Sequence, residues 1–103
     1  MSSHAPHAHA PLCAVHVLGE GGAGIGGHVR SLAAGLVARG VRVTVCSPAR
    51  TERAYGYTRT GARHVPVSHH GDPVSVAALR TACTGADLVH AHGLTAGLRA
   101  ALA

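Results

Sequence analysis

The stretch Leu12-Cys13-Ala14-Val15-His16-Val17-Leu18-Gly19-Glu20-Gly21-Gly22-Ala23-Gly24-Ile25-Gly26-Gly27-His28-Val29 decides the fold. Residues 12–18 are a short apolar run with β-branched residues at its centre, the pattern of a strand buried on both faces of a parallel sheet. The run stops at Gly19, and residues 19–27 are too rich in glycine for regular structure, so a loop is predicted there. Past the loop, Val29, Leu32, Ala33, Leu36 and Val37 recur at i, i+3, i+4, i+7 and i+8, one face of an amphipathic helix. Arg39 and Gly40 supply its C-terminal signals.

Residues 41–46, Val-Arg-Val-Thr-Val-Cys, then read as a second strand ended by Ser47-Pro48. Strand, glycine loop, helix and strand in succession make a βαβ unit with a right-handed crossover. Residues 49–61 are polar and Arg-bearing without a period and are predicted to be a surface loop. A brief strand is expected at 62–67. Asp72 and Pro73 then give the cap and first position of a helix that runs toward Gly85. Residues 87–91, Asp-Leu-Val-His-Ala, read as a further strand, and residues 94–103 begin a helix. The predicted organisation is an unstructured leader at residues 1–11, rich in His, Ala, Ser and Pro, followed by a partial α/β domain over residues 12–103.

Composition narrows the classes of function. The 103 residues carry nine Arg and no Lys against Glu20, Glu52, Asp72 and Asp87, a formal net charge of +5. The arginines are dispersed and no aromatics are interleaved with them, which speaks against a nucleic-acid footprint. A basic fringe is nevertheless compatible with peripheral contact at an anionic lipid surface. Cys13, Cys46 and Cys83 form no C-x-x-C pair and are odd in number, a pattern of neither a disulfide framework nor a zinc site. With no apolar run of about 18 residues and no secretory leader pattern, a cytoplasmic location is expected.

The glycine loop is the main chemical signal. A tight turn from strand into helix aims backbone N–H groups and the positive end of the helix dipole at one point, where a phosphate can be held. The spacing G-x-G-x-x-G is met by Gly22, Gly24 and Gly27 and equally by Gly19, Gly21 and Gly24, so glycine density accounts for part of the match. A P-loop requires a Lys that this chain lacks. Dinucleotide binding usually requires an acid at the end of the second strand, where Cys46-Ser47-Pro48 stand instead.

The histidines divide by position. His28, in the first turn after the loop, leans toward the loop mouth and can give or take one hydrogen bond. His90 and His92, two apart, share a strand face near the carboxyl end, where open α/β sheets place their ligand crevice. Zinc would require a third ligand that spacing does not supply, so no metal is expected. His16, inside the first strand, reads as a packed core residue; His4, His7 and His9 belong to the leader; and His64, His69 and His70 lie in or near connecting segments. No catalytic residue is identified, because the four acids are isolated and no nucleophile motif occurs.

Taken together, Val15-His16-Val17-Leu18, the glycine loop, the run from His28 through Arg39-Gly40 to Val45, and Ala86-Asp87-Leu88-Val89-His90-Ala91-His92-Gly93 resemble glycosyltransferase family 4 of the GT-B type, over nearly everything after Pro11. The resemblance implies a Rossmann-like α/β fold, the acceptor-binding N-terminal half of a retaining transferase, with a second half that grips a nucleotide-sugar. It implies that Gly22, Gly24 and Ile25 approach the donor diphosphate and the acceptor, that His28 lies near the acceptor, and, by position at the strand end, that His92 joins them. The nucleotide-sugar would be a donor substrate, with no further cofactor, and a sugar or lipid the acceptor. The family's paired glutamates belong to the other half, so this portion alone is expected to be inactive and only marginally stable. Gly26-Gly27 stand where many members carry polar or charged residues. Two other readings stay open: a non-catalytic Rossmann-like binding module, and a piece of a nucleotide-binding oxidoreductase.

Overall fold

The computed structural model describes residues 10–19, 24–68 and 72–93. Their order is β1 (Cys13–Leu18), α1 (Ile25–Ala38), β2 (Arg42–Ser47), α2 (Ala49–Tyr55), a 3-10 turn (Tyr57–Thr60), β3 (Arg63–Pro66), α3 (Pro73–Cys83) and β4 (Leu88–His92). All four strands are parallel, in the order β3-β2-β1-β4. The chain therefore reverses its direction of travel across the sheet between β1 and β4, the position at which doubly wound sheets open a crevice. This is the Rossmann-like α/β architecture expected from the sequence.

The pleat sorts the β1 side chains onto two cores. On one face Leu18 packs with Val29 and Ala33 of α1, Val43 and Val45 of β2, Tyr57 and Ala62. On the other, Val15 and Val17 pack with Cys46, Val67 and Leu79 of α3. The alternating apolar residues of β1 and β2 thus fill both faces, as a central parallel strand requires. Burial pushes the Cys46 thiol up to about 12, which leaves it an inert packing group.

Helix α3 begins as its cap residues predict: the Asp72 carboxylate accepts the Ser75 N–H at 3.0 Å and Pro73 occupies the first turn. Its C-cap is Thr84, whose N–H reaches the carbonyls of Arg80 and Thr81, one residue before Gly85. At the end of α1, Arg39 is the C-cap and Gly40 takes φ +84°.

Two segments differ from the sequence reading. Residues 49–61 form α2 and a 3-10 turn rather than a loop; α2 buries none of its side chains, so it leaves no apolar period to detect. Gly26 and Gly27 lie inside α1, not in the preceding loop. For Gly26 the small residue has a packing reason, since a Cβ there would overlap the Tyr55 ring. Of the regions expected to be a leader and a C-terminal helix, residues 1–9 and 94–103 lie outside the described residues.

Candidate functional site

The carboxyl ends of β1 and β4 and the amino end of α1 meet at one place. Gly24 caps α1 with φ +100°, a left-handed angle that a residue with a Cβ adopts only under strain. The first intrahelical bond there runs from the His28 N–H to the Gly24 carbonyl at 2.9 Å. The N–H groups of Ile25, Gly26 and Gly27 consequently have no intrahelical partner, and among the described residues neither a capping side chain nor an acid in the first turn answers them. Such an end attracts an anion.

Beside it stands a cluster of imidazoles assembled by strand register. In the β1–β4 pairing His16 lies opposite His90 and Leu18 opposite His92, so His16, His90 and His92 project from the same face. His16 is 2% exposed. The rings of His90 and His92 stack with centroids 3.9 Å apart, and His16 stacks on His92 at 5.3 Å. His28, on the first turn of α1, meets His92 edge-on at 6.3 Å.

One contact fixes tautomers. Nδ1 of His16 is 3.0 Å from Nε2 of His92, while Nε2 of His16 is buried without a partner. A buried N–H left without an acceptor costs more than a bare lone pair. The hydrogen of His16 therefore sits on Nδ1 and is donated to His92 Nε2, an assignment made from the network. Burial, reinforced by the neighbouring rings of His90, His16 and His28, lowers the His92 pKa to about 4. Burial and the charges of His90 and His28 also lower that of His16. At neutral pH both rings are uncharged and offer lone pairs and N–H groups to a ligand.

Of the residues expected to bind a donor diphosphate and acceptor, Gly24, Ile25, His28 and His92 are brought together; Gly22 lies outside the described residues. His16 is the packed strand residue expected, and it also holds His92 in place. The third imidazole absent from the sequence spacing of His90 and His92 comes from β1, and only the adjacency of β1 and β4 reveals it. His64 is structural: its Nε2–H donates to Ser47 Oγ at 2.8 Å, and that hydroxyl donates to the Pro48 carbonyl at 3.3 Å. A cavity of about 660 Å³ opens near Cys13, Arg42, Arg63 and Gly85, at the amino ends of the strands, remote from the histidines. The crevice rule for parallel sheets favours the carboxyl ends over that cavity.

A solved structure described as the glycotransferase of kitacinnamycin superposes with a TM-score of 0.57 at 25% identity, covering 79% of this chain and 24% of that one. The chain thus spans about a quarter of that transferase's length. No curated protein matches. No described helix is long and apolar enough to cross a membrane. The family described as "Glycosyl transferase 4-like domain" matches residues 23–103, which take in α1, β2 to β4 and all four placed site residues. The chain belongs to the glycosyl transferase 4-like domain family.

Proposed function

We propose that this chain forms the acceptor-side wall of the active crevice in a retaining, hexosyltransferase-like glycosyltransferase that takes a nucleotide-sugar as donor and a sugar or lipid as acceptor. The observation that carries the reading is the meeting of an uncapped helix amino end, opened by Gly24, with His28 and His92 at the switch point of the sheet. In this reading the unanswered N–H groups of Ile25 to Gly27 take the negative charge of the donor diphosphate. His28 and His92, without a carboxylate partner among the described residues, orient hydroxyl groups of the sugars.

The chemistry of transfer falls to a second Rossmann-like half that supplies the donor pocket, and the chain alone is inactive. The reaction takes place on the cytoplasmic side, with the basic fringe touching an anionic lipid surface when the acceptor is a lipid. Support comes from the family assignment and from the position of the crevice.

The test is a series of amide correlation spectra of the full chain titrated with inorganic pyrophosphate, a uridine diphosphate sugar and a nicotinamide dinucleotide. The reading expects pyrophosphate and the nucleotide-sugar to move the resonances of Gly24 to His28 and of His92, and Gly24→Ala to abolish the effect. Perturbation by the nicotinamide cofactor alone would turn the assignment to an oxidoreductase. Silence with all three compounds would leave a non-catalytic binding module and overturn the proposal.

A further inference from the structure

The grouping of His16, His90 and His92 has a property that sugar binding does not use. Each ring offers one nitrogen, and the three nitrogens lie within 4.8 Å of one another. Two of them, His16 Nδ1 and His92 Nε2, are 3.0 Å apart. Two nitrogens bound to one tetrahedral zinc at 2.0–2.1 Å are separated by about 3.3 Å. That pair is already near the required spacing, and the His90 nitrogen lies within 4.8 Å of both.

The backbone supports such a site. Two ligands come from one strand at i and i+2, and the third from the neighbouring strand at a position paired in register, so the sheet fixes all three Cα atoms. The β1 contributor is buried and held among its neighbours; the two from β4 are partly or fully open to solvent, which leaves an entry path. Among the described residues the four imidazoles have no carboxylate within hydrogen-bonding contact: Asp87 bonds to Cys13, Glu52 to Thr58 and Asp72 to Ser75. The cluster therefore gathers ring nitrogens with no competing carboxylate among the described residues, and a metal cation can take their lone pairs.

We propose that His16, His90 and His92 form a three-imidazole site for a divalent first-row metal ion, zinc being the ion whose ligand preference and geometry fit best. Coordination through His16 Nδ1 moves the ring hydrogen to Nε2, where no acceptor lies among the described residues, so the metal–nitrogen bond has to outweigh that unmade hydrogen bond. Three protein ligands leave a fourth position for water or substrate, and His28 stands edge-on to His92 with ring centroids 6.3 Å apart. The site stands whether or not the crevice also takes a nucleotide-sugar.

The experiment uses the full chain with His4, His7, His9, His69 and His70 replaced by Gln, which removes imidazoles unrelated to the cluster. Cobalt(II) is added as a spectroscopic probe and zinc(II) is titrated by calorimetry at neutral pH. The site predicts one equivalent of zinc, the intense visible absorption of four-coordinate cobalt, and a rise in Tm on zinc addition. His90→Gln, at the exposed ligand and so compatible with folding, should weaken zinc binding about 100-fold and remove the Tm shift. His64→Gln, outside the cluster, should change neither. Absence of zinc binding, or binding and cobalt absorption unchanged in the double variant His90→Gln, His92→Gln, would overturn the proposal and leave the His16–His92 contact as a hydrogen bond alone.

Discussion

His16 donates a hydrogen bond to His92 across 76 positions of sequence, Nδ1 to Nε2 at 3.0 Å, and so ties the centre of β1 to the last residue of β4. That bond needs the lone pair of His92 Nε2, so it is lost when His92 takes up a proton, whereas a protonated His16 would still donate.

That condition sets a pH dependence. The folded-state pKa of His92 lies at about 4, below the ordinary 6.5, and that of His16 is lowered as well. Unfolded chains accept protons on these rings first, so their contribution to stability is complete above about pH 6.5 and is lost as pH falls toward 4. Each such histidine gives a slope of at most about 1.4 kcal/mol per pH unit, and solvent screening at the half-open His92 leaves less. Lowered in the same direction, His64 adds to the trend. Thermal melts across that window should show Tm falling by roughly 5–10 °C, with a shallower fall in His92→Gln. A flat profile would remove the basis for two neutral rings.

The two glycines at the start of α1 make opposite predictions. A Cβ at Gly26 would overlap the Tyr55 ring, which is stacked on Tyr57 with centroids 6.1 Å apart and would have to shift to admit it. At Gly27 the nearest atom, Cε1 of Tyr55, is 3.9 Å from such a Cβ, an ordinary contact. Gly26→Ala should therefore destabilise by about 1–3 kcal/mol. Gly27→Ala should be neutral or gain about 0.5 kcal/mol from helix propensity. Urea denaturation of both variants separates packing from propensity, and equal effects would contradict the Tyr55 contact.

This contrast shows what could be read in the sequence. The period of Val29, Ala33 and Leu36, the β-branched runs and the Asp72-Pro73 start are local signals, and they placed β1, α1, β2, α3 and β4 to within a residue or two, α1's amino end excepted. Gly26 resembles a loop residue because the reason for its smallness, the Tyr55 ring, lies 29 positions away, while Gly27 beside it meets no such constraint. Residues 49–61 show no period because only Tyr57, in the 3-10 turn, enters the core fully. At the candidate site, His28 and His92 could be chosen from their places at element ends. The contribution of His16 could not, since it depends on β4 returning to the far side of β1 rather than beyond β3.

Tyr57 offers a test of that single inward-facing residue. It is fully buried, and its hydroxyl donates to the Gly26 carbonyl at 3.1 Å. Burial, with lesser contributions from Tyr55 and Glu52, raises its pKa to about 12, so the hydroxyl remains a donor at any pH the fold tolerates. Gly26 lies within α1, and its carbonyl also has the helical ladder available, so Tyr57→Phe should cost only about 0.5–1 kcal/mol. Tyr57→Ala empties the space between α1 and β2 and should cost about 3–5 kcal/mol, a large share of a small domain's stability. Equal losses in the two variants, measured by chemical denaturation, would mean that the hydroxyl rather than the ring holds this corner.

Asp87 governs the other end of β4. Its carboxylate accepts the Cys13 N–H at 2.8 Å, and its own N–H donates to the Cys13 carbonyl at 2.8 Å, closing a two-bond clamp just before the first register pair, Ala14 with Leu88. Among the described residues β4 pairs only with β1, so its attachment depends on that ladder and on this clamp. Asp87→Ala removes the side-chain half of it and leaves the backbone half. Loss of one solvent-exposed hydrogen bond of this kind is worth about 1 kcal/mol, which corresponds to about a fivefold rise in local opening. Amide hydrogen exchange should therefore quicken about fivefold along Leu88 to His92 while Val43 and Val45 of β2 keep their protection. Because His90 and His92 ride on the same strand, the looser register should also raise the pKa of His92 toward 6.5, a shift visible by proton NMR of its ring. Unchanged exchange in β4, or acceleration spread evenly over the sheet, would show that the alignment of His92 with His16 does not depend on the clamp at Asp87.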